Sequence, residues 1–586
     1  MQKKIKDMDF RLMVRLWPFI RPYTGILVFS LLLVFLVAGL DLIIPFMTKK
    51  AIDEFIMQKA GSQSFIFFGA IFFVVIALSF IMDFVQALFM EYSGQKIVLG
   101  LRLGLFFHMT NLPVSYFDAH SSGRLVSRVT NDIENMNEMF TGILLFLFKD
   151  IVLMTGIMAA MLLMDVKLAL AVFCVVPLVF AGITFFSALS RKAFRIIRKK
   201  VAEINHSFSE SISGIKIIQT TDGFNVFLKK FKKINFEHYQ AGMTQIRVFA
   251  LFMPLIGFLS TLCVGIIIYY GSLRILRLEI SLGIVVAFIS YTKMFFRPVR
   301  ELSEKFNLLQ SSLASAERIV KVLDLDQVTD SANDNREKLE SMESLEFKNI
   351  FFSYNDDEPV LKDISFSIAK GESIGIVGHT GSGKSSVINL VSGFYKQNSG
   401  KILINATEYE KFTLGDIRSR TALVMQEPML FSGSIRENIM LPGANIEDIV
   451  FEKALVQANC SFLWDRYKTG LDTMIHEGGR PLSSGEKQLV CIARAFAFNP
   501  DLIIFDEATS YMDSQSEQLV HEAMKKLMKN RISIIIAHRL STVKECDRIM
   551  LFKNGEITES GTNEELLVLK GDYFNLVEKE KIGLTV

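Results

Sequence analysis

Cysteine is scarce in this chain. Only five occur among 586 residues, Cys174, Cys263, Cys460, Cys491 and Cys546, with no CxxC pair and no Cys/His spacing suited to a metal. That excludes a disulfide framework and a zinc module, and the five read as small core hydrophobes in a reducing compartment. Net charge is nearly absent as well, +3 over the whole length, so global charge makes no case for nucleic acid. Internal repeats and low-complexity tracts are also missing. What is plentiful is apolar: 50% hydrophobic residues against 21% charged, with 51 Phe and 26 Met, and a mean hydropathy of +0.34. A positive mean over so long a chain excludes a disordered, collagen-like or purely soluble protein. Length alone would suggest about four soluble domains. Composition points instead to a membrane part joined to a soluble part.

Before about residue 300 the apolar residues form six long runs, at about 23–47, 64–90, 138–163, 166–188, 246–272 and 280–300. Each has the ~20 residues that cross a ~30 Å hydrocarbon core. A basic amphipathic stretch from Phe10 to Phe19 precedes the first and resembles a short helix lying on the inner membrane surface. A cleavable signal is a poor fit, because the run is too long and lacks a small-residue cleavage site. Lys and Arg set the orientation. The N-terminal tail carries six, 91–137 carries four and 189–245 carries eleven, against six on the three opposite loops together. The tail and the two long connections are therefore expected in the cytoplasm. Both connections still read as helix, so membrane helices are expected to continue well beyond the bilayer.

Residues 326–344 turn polar and read as a linker between a membrane domain (1–325) and a second domain (345–586). In the second domain short apolar runs alternate with helical patterns: Ile374–Val377, Ala422–Met425, Leu502–Phe505 and Ile532–Ala537. Bounded by turn or polar residues, they suit buried strands of an α/β domain.

The chemistry starts after the first of these runs. Gly378, His379, Thr380, Gly381, Ser382, Gly383, Lys384 and Ser385 match GxxxxGK[ST], placed between an apolar strand and a helical run from Ser386. Glycines there let backbone amides curl around phosphates, and the helix start adds its dipole. Lys384 can reach the β- and γ-phosphates and the Ser385 hydroxyl can ligate Mg²⁺. Downstream, an apolar strand ends in Asp506 and Glu507. The first suits Mg²⁺, directly or through water, and the second is placed to polarise an attacking water.

Pro481 to Gln488, then Ile492 to Ala495 and Asp506 to Ser510, resemble the ATP-binding cassette of the ABC transporters in sequence and in order. The resemblance implies that Tyr354 stacks on adenine. It makes Gln426 the glutamine that contacts Mg²⁺ and signals to the membrane, and His538 the switch histidine at the γ-phosphate. Ahead of the cassette, Leu112 to Asp118 and Ser122 to Asp132 resemble the first cytoplasmic loop of exporters with six spans fused before one cassette, and Ser209 to Lys216 their second. In that family these loops carry coupling helices. The implied fold is multi-domain: an all-α transmembrane bundle of six helices with long cytoplasmic extensions, then an α/β P-loop cassette. Importers usually split these parts into separate chains, so the fusion argues for export.

One motif departs from the family. Where Leu-Ser-Gly-Gly-Gln is usual, this chain has Leu482, Ser483, Ser484, Gly485 and Glu486. In the family this segment opens a helix that faces the γ-phosphate held by the other cassette. Ser484 adds a Cβ where backbone approaches phosphate, and Glu486 is expected to add negative charge beside an anion. The Walker residues Lys384, Asp506, Glu507 and His538 are intact. The resemblance implies a heterodimer in which a different chain, with an ordinary signature and no Walker B glutamate, completes the competent ATP site. A homodimer tolerating the variant signature is the alternative.

In the spans, Asp41 and Asp83 are costly in lipid and are expected to line the transport path, with Lys149 and Lys293 snorkelling or paired. The expected function is ATP-driven export of amphipathic or hydrophobic compounds, drug-like or lipid, across the cytoplasmic membrane by alternating access. ATP and Mg²⁺ are its cofactors, and its partners are a second half-transporter and membrane lipid, not nucleic acid. The alternatives are a homodimeric lipid flippase or peptide exporter, an ATP-gated channel or regulatory subunit, and a soluble P-loop ATPase, which the spans oppose.

Overall fold

Apolar runs free of clustered Gly and Pro fold as long helices, and charge at their ends carries them on past the apolar stretch. The computed structural model describes Leu12 and residues 14–57, 62–327, 337–355, 358–440, 447–506, 512–537 and 540–581. The chain divides into two compact units. One holds residues 1–110 and 121–325; the other holds 111–120 and 326–586.

The first unit is helical. Its main elements are α1 (Thr24–Lys50), α2 (Ser62–Thr110), α4 (Leu144–Met164), α5 (Val166–Phe173), α6 (Val176–Ser213), α7 (Phe224–Leu276) and α8 (Leu282–Leu323), while α3 (Val114–Asp118) belongs to the second unit. At a rise of about 1.5 Å per residue, the 49 residues of α2 reach roughly 75 Å, far beyond a ~30 Å hydrocarbon core. Among the described residues, five stretches are long and apolar enough to cross a membrane: Val14–Met57, Gln63–Thr110, Val166–Phe186, Phe224–Leu276 and Leu282–Glu301. The run expected at 138–163 falls on a π-helical turn (Met139–Ile143) and on α4; the side chains of 142–145 and 147 lie outside the description. α2 exposes Phe67, Phe73 and Phe80, as a helix apolar all round does only against lipid. Leu12, Leu16 and Ile20 ahead of α1 are buried at helical spacing, while Val14 and Trp17 remain exposed.

Polar groups in this unit are tied helix to helix. Tyr291 in α8 donates to the Leu42 carbonyl (2.6 Å), three residues before Pro45 disrupts the α1 ladder. Asp53 accepts from the Ser281 hydroxyl (2.6 Å) and the Gly283 amide (2.9 Å), holding the start of α8. Asp132 accepts from Ser315 and Arg318.

Among the described residues the second unit contains twelve strands: β1 (Ser344–Phe352), β2 (Leu361–Ala369), β3 (Ser373–Gly378), β4 (Ser399–Ile404), β5 (Thr407–Glu408), β6 (Thr421–Val424), β7 (Gly433–Ser434), β8 (Met474–Ile475), β9 (Leu502–Asp506), β10 (Ile532–Ile536), β11 (Arg548–Lys553) and β12 (Glu556–Gly561). They form a six-stranded sheet ordered β12-β11-β3-β10-β9-β6, a four-stranded sheet ordered β2-β1-β4-β5, and the short pair β7-β8. All four strands expected from the sequence are present, as β3, β6, β9 and β10. β10 is buried throughout, because both faces of a parallel core are covered. Ile532, Ile534 and Ile536 pack with Phe347 and Phe366 on one face. Ile535 packs on the other, with Leu489 and Ile492 of a helix at Ser484–Phe498.

Candidate functional site

β3, β10, β9 and β6 run parallel, and their carboxyl ends share one edge. Register sets Ile376 beside Ile536, Ile536 beside Asp506 and Val424 beside Phe505. An open α/β sheet places its ligands at such an edge. The loop from Gly378 leaves β3, Gln426 follows β6 by two residues, and Asp506 closes β9. Glu507 and His538, expected beyond β9 and β10, lie outside the described residues.

The loop after β3 requires its glycines. Gly378 and Gly383 have φ of +150° and +102°. A Cβ on the first would stand 2.2 Å from the Phe552 carbonyl oxygen, and one on the second 2.6 Å from Leu361 Cδ2. The helix α9 (Lys384–Val391) starts at Gly383 with no side-chain cap, so its first amides point out of the helix end. Lys384 is 6% exposed and donates to the carbonyls of Gly378 (2.6 Å) and His379 (3.1 Å). The Ser382 hydroxyl is buried with no hydrogen-bond partner among the described residues, while His379, Thr380, Gly381 and Ser385 face outward. Uncapped amides, a buried ammonium and an orphaned hydroxyl around one loop fit a polyphosphate. Beside it, the Tyr354 hydroxyl shares a hydrogen bond with Ser386 (3.1 Å) and accepts one from Asn389 (2.8 Å), which holds the ring partly exposed at the mouth of the loop.

The helix at Ser484–Phe498, α10 from here on, starts differently. Ser483 Oγ accepts from the Glu486 amide (3.3 Å), and Glu486 Oε2 accepts from the Ser483 amide (2.7 Å), a complete capping box. Gly485 is forced, since a Cβ there would stand 2.5 Å from Ser516 Cβ. Ser483 and Ser484 are exposed.

Two family descriptions fit the chain in order: "ABC transporter transmembrane region" over residues 27–299 and "ABC transporter" over residues 361–510. The ABC transporter ATP-binding protein YfiC of Bacillus subtilis is 34% identical over 97% of this chain and 94% of its own length. The chain belongs to the ABC transporters. The fatty acid ABC transporter ATP-binding/permease protein of Mycobacterium tuberculosis is 34% identical, over 85% of this chain and 78% of that protein. The ATP-dependent lipid A-core flippase of Mannheimia succiniciproducens is 29% identical, over 96% of each. In fold, the chain matches a bacterial Atm1-family ABC exporter solved with ATP bound, with a TM-score of 0.79, 22% identity, and 95% and 98% of the two chains covered. Like other ABC transporters of this architecture, it couples ATP hydrolysis to transport. Its helical multi-span region lies in the cell membrane and its cassette in the cytoplasm.

One expectation about this ABC transporter is not met. Glu486 was expected to set negative charge beside a phosphate, but its side chain turns inward and is 3% exposed. Besides closing the capping box, it accepts from the Tyr467 hydroxyl (3.2 Å), and Arg466 Nη1 stands 2.9 Å from Oε1. Burial, and then that carboxylate, raises the Tyr467 phenol above its ordinary value. In the membrane half, Asp41 accepts from the Ser79 hydroxyl (2.9 Å), and Asp83 is paired with Lys149 at 2.5 Å. Both carboxylates therefore have partners within their own unit.

Sequence reading passed over the groups that fix these parts. Gln488, fully buried, donates to the Met425 carbonyl (3.3 Å), and Arg494 donates to the carbonyls of Asn438 (2.8 Å) and Met429 (3.2 Å). α10 thereby holds the loop that carries Gln426. Six positions apart, the two stand roughly 120° apart around α10, so no periodic signal marks them in the sequence.

Proposed function

We propose that this ABC transporter exports amphipathic or hydrophobic compounds, drug-like or lipid, by alternating access. In this reading it is one half of a heterodimer with one competent and one degenerate ATP site. The membrane domain covers 1–325 with six spans, 326–344 is the linker, and the cassette covers 345–586. ATP is held by Tyr354 on the adenine and by Gly378 to Ser386 on the phosphates. Lys384 neutralises the β- and γ-phosphates, Glu507 polarises the attacking water and His538 holds the γ-phosphate. The Ser385 hydroxyl, the Asp506 carboxylate and the Gln426 amide would hold Mg²⁺. When bound, the ion neutralises developing phosphate charge, and oxygen ligands of this kind suit it.

The observation that carries the asymmetry is Ser484, exposed at the start of α10 where the family keeps glycine, in a cassette whose own phosphate loop is complete. Its Cβ meets the nucleotide of the second cassette. The partner supplies an ordinary signature and lacks the Walker B glutamate. The names of two relatives, a fatty acid transporter and a lipid A-core flippase, favour a lipid-like substrate. The flippase also favours the second reading, a homodimeric lipid flippase. Affinity purification through a tag on this chain, followed by mass spectrometry of the dimer, separates the two. A different half-transporter in equal amount supports the heterodimer, and a second copy of this chain overturns it. Transport of fluorescent lipid and drug probes into inverted vesicles, with Asp41→Ala and Asp83→Ala alongside, tests the substrate class and the path.

A further inference from the structure

The segment Asn111 to His120 clusters with the cassette, in the second unit. It contains α3, which starts at the extended Pro113, and the ring of Tyr116 stacks on His120 at 4.3 Å. Between this segment and the end of α9 runs a cleft of about 560 Å³, lined by Pro113, Ser115, Phe394 and Tyr395 among others. One side chain bridges it: the Tyr395 hydroxyl donates to Asp118 Oδ2 at 2.7 Å. The ring of Tyr395 meets the aromatic pair at the end of β1. Its ring lies edge-to-face on Tyr354, with centroids 4.9 Å apart and planes at 87°, and Phe352 closes the cluster at 4.8 Å from Tyr354 and 5.8 Å from Tyr395. Tyr354 is in turn fixed to α9 through Ser386 and Asn389.

We infer that Tyr395 is a positioning residue that ties the adenine platform to the 111–120 segment, so that nucleotide on Tyr354 is registered at Asp118 through one aromatic contact and one hydrogen bond. The inference rests on the reading of Tyr354 as the adenine platform. An edge-to-face pair fixes relative ring angle as well as distance. A base stacked on the outer face of Tyr354 fixes the position and tilt of that ring, and Tyr395, packed edge-to-face against it, can follow only by shifting its ring as a whole. The hydroxyl moves with the ring and is anchored on the Asp118 carboxylate, so the shift reaches α3. Burial, and next Asp118, push the Tyr395 phenol up to about 12, so it stays a donor across the physiological range. This route differs from the one through Gln426, which starts at the phosphates and runs to the loop that α10 holds. Adenine and phosphate thus have separate lines out of the site.

The test is hydrogen–deuterium exchange on the full-length chain, purified in nanodiscs with whatever second half accompanies it, with and without Mg-ATP. Residues 111–120 report the relay, and residues 209–221 of the other cytoplasmic loop serve as the internal control. The expected result is a change in protection at 111–120 on adding ATP. That change falls about fivefold or more in both Tyr395→Phe and Asp118→Ala, while the response at 209–221 and the ATP affinity stay within about twofold of the parent. Tyr395→Phe keeps the ring and Asp118→Ala lies outside the cassette core, so folding is not at issue for both. A response at 111–120 as large in both variants as in the parent overturns the relay, and so does a loss that strikes both loops equally. Failure of the underlying reading has its own signature: Tyr354→Ala then leaves ATP affinity unchanged.

Discussion

Two helices in the cassette begin beside its nucleotide chemistry, and they begin in opposite ways. α9 starts from Gly383 in the left-handed region with no side-chain cap, beside a buried Lys384 and the orphaned Ser382 hydroxyl. α10 starts from Ser483 with a complete capping box, so the Ser483 and Glu486 amides already have partners in their own chain. A helix start with open amides is a ready anion site, and one whose donors are engaged internally is a weaker one. The same fold thus presents one end built for phosphate and one end built for stability.

The largest effect should come from emptying the strong end. Lys384→Ala should lower ATP turnover by on the order of 10² to 10³, the scale of a lost charge-stabilising group; a radiometric phosphate-release assay on the assembled transporter checks it. Retention of more than a tenth of the activity would remove Lys384 from the phosphate site. Gly383→Ala comes next. Its Cβ would press on Leu361 and its φ of +102° is strained, so a cost of about 1–3 kcal/mol is expected. Denaturant unfolding measures it, and an unshifted midpoint would contradict the tight loop.

At the other end, Glu486→Ala should cost about 1–2 kcal/mol by opening the capping box, while Glu486→Gln should cost less because it keeps an acceptor for the Ser483 amide. If the carboxylate instead faces nucleotide, the Gln variant will tighten ATP binding markedly, and equilibrium binding will show it. Ser484→Gly should improve ATP affinity at the site proposed to be degenerate by roughly fivefold, about 1 kcal/mol, as read by isothermal titration; no change would remove Ser484 as the source of the asymmetry. The smallest effect is in pH. The Tyr395 phenol is raised to about 12, so the folded protein holds that proton more tightly than the unfolded chain does. The stability it contributes is fully present below about pH 10 and is lost as pH rises through about 12. A melting curve in that window should flatten in Tyr395→Phe.

Much of the architecture was legible because its signals are periodic or local. Long apolar runs announce membrane helices, and buried parallel strands such as β10 read as unbroken hydrophobic stretches. The phosphate loop is contiguous, so its residues were named from spacing. What escaped depends on contacts distant in sequence. Glu486 was misjudged because its outcome turns on Arg466 and Tyr467, some twenty positions upstream, and the capping box looks the same as any Ser-x-x-Glu until those partners are seen. Asp83 is expected from the sequence on the transport path and Lys149 snorkelling or paired, but that the two pair with each other, 66 positions apart, is visible only in the fold. The Tyr395 contact to Asp118 joins residues 277 positions apart, and neither belongs to a nucleotide motif.

The proposal to be tested is that this chain, with a complete phosphate loop but Ser484 where the family keeps glycine, is one half of a heterodimer. ATP hydrolysis by the chain purified alone in nanodiscs tests that claim most directly. Turnover near background, restored when the second half-transporter is added, is the predicted result. Robust turnover by the chain alone, abolished by Glu507→Gln, would contradict it.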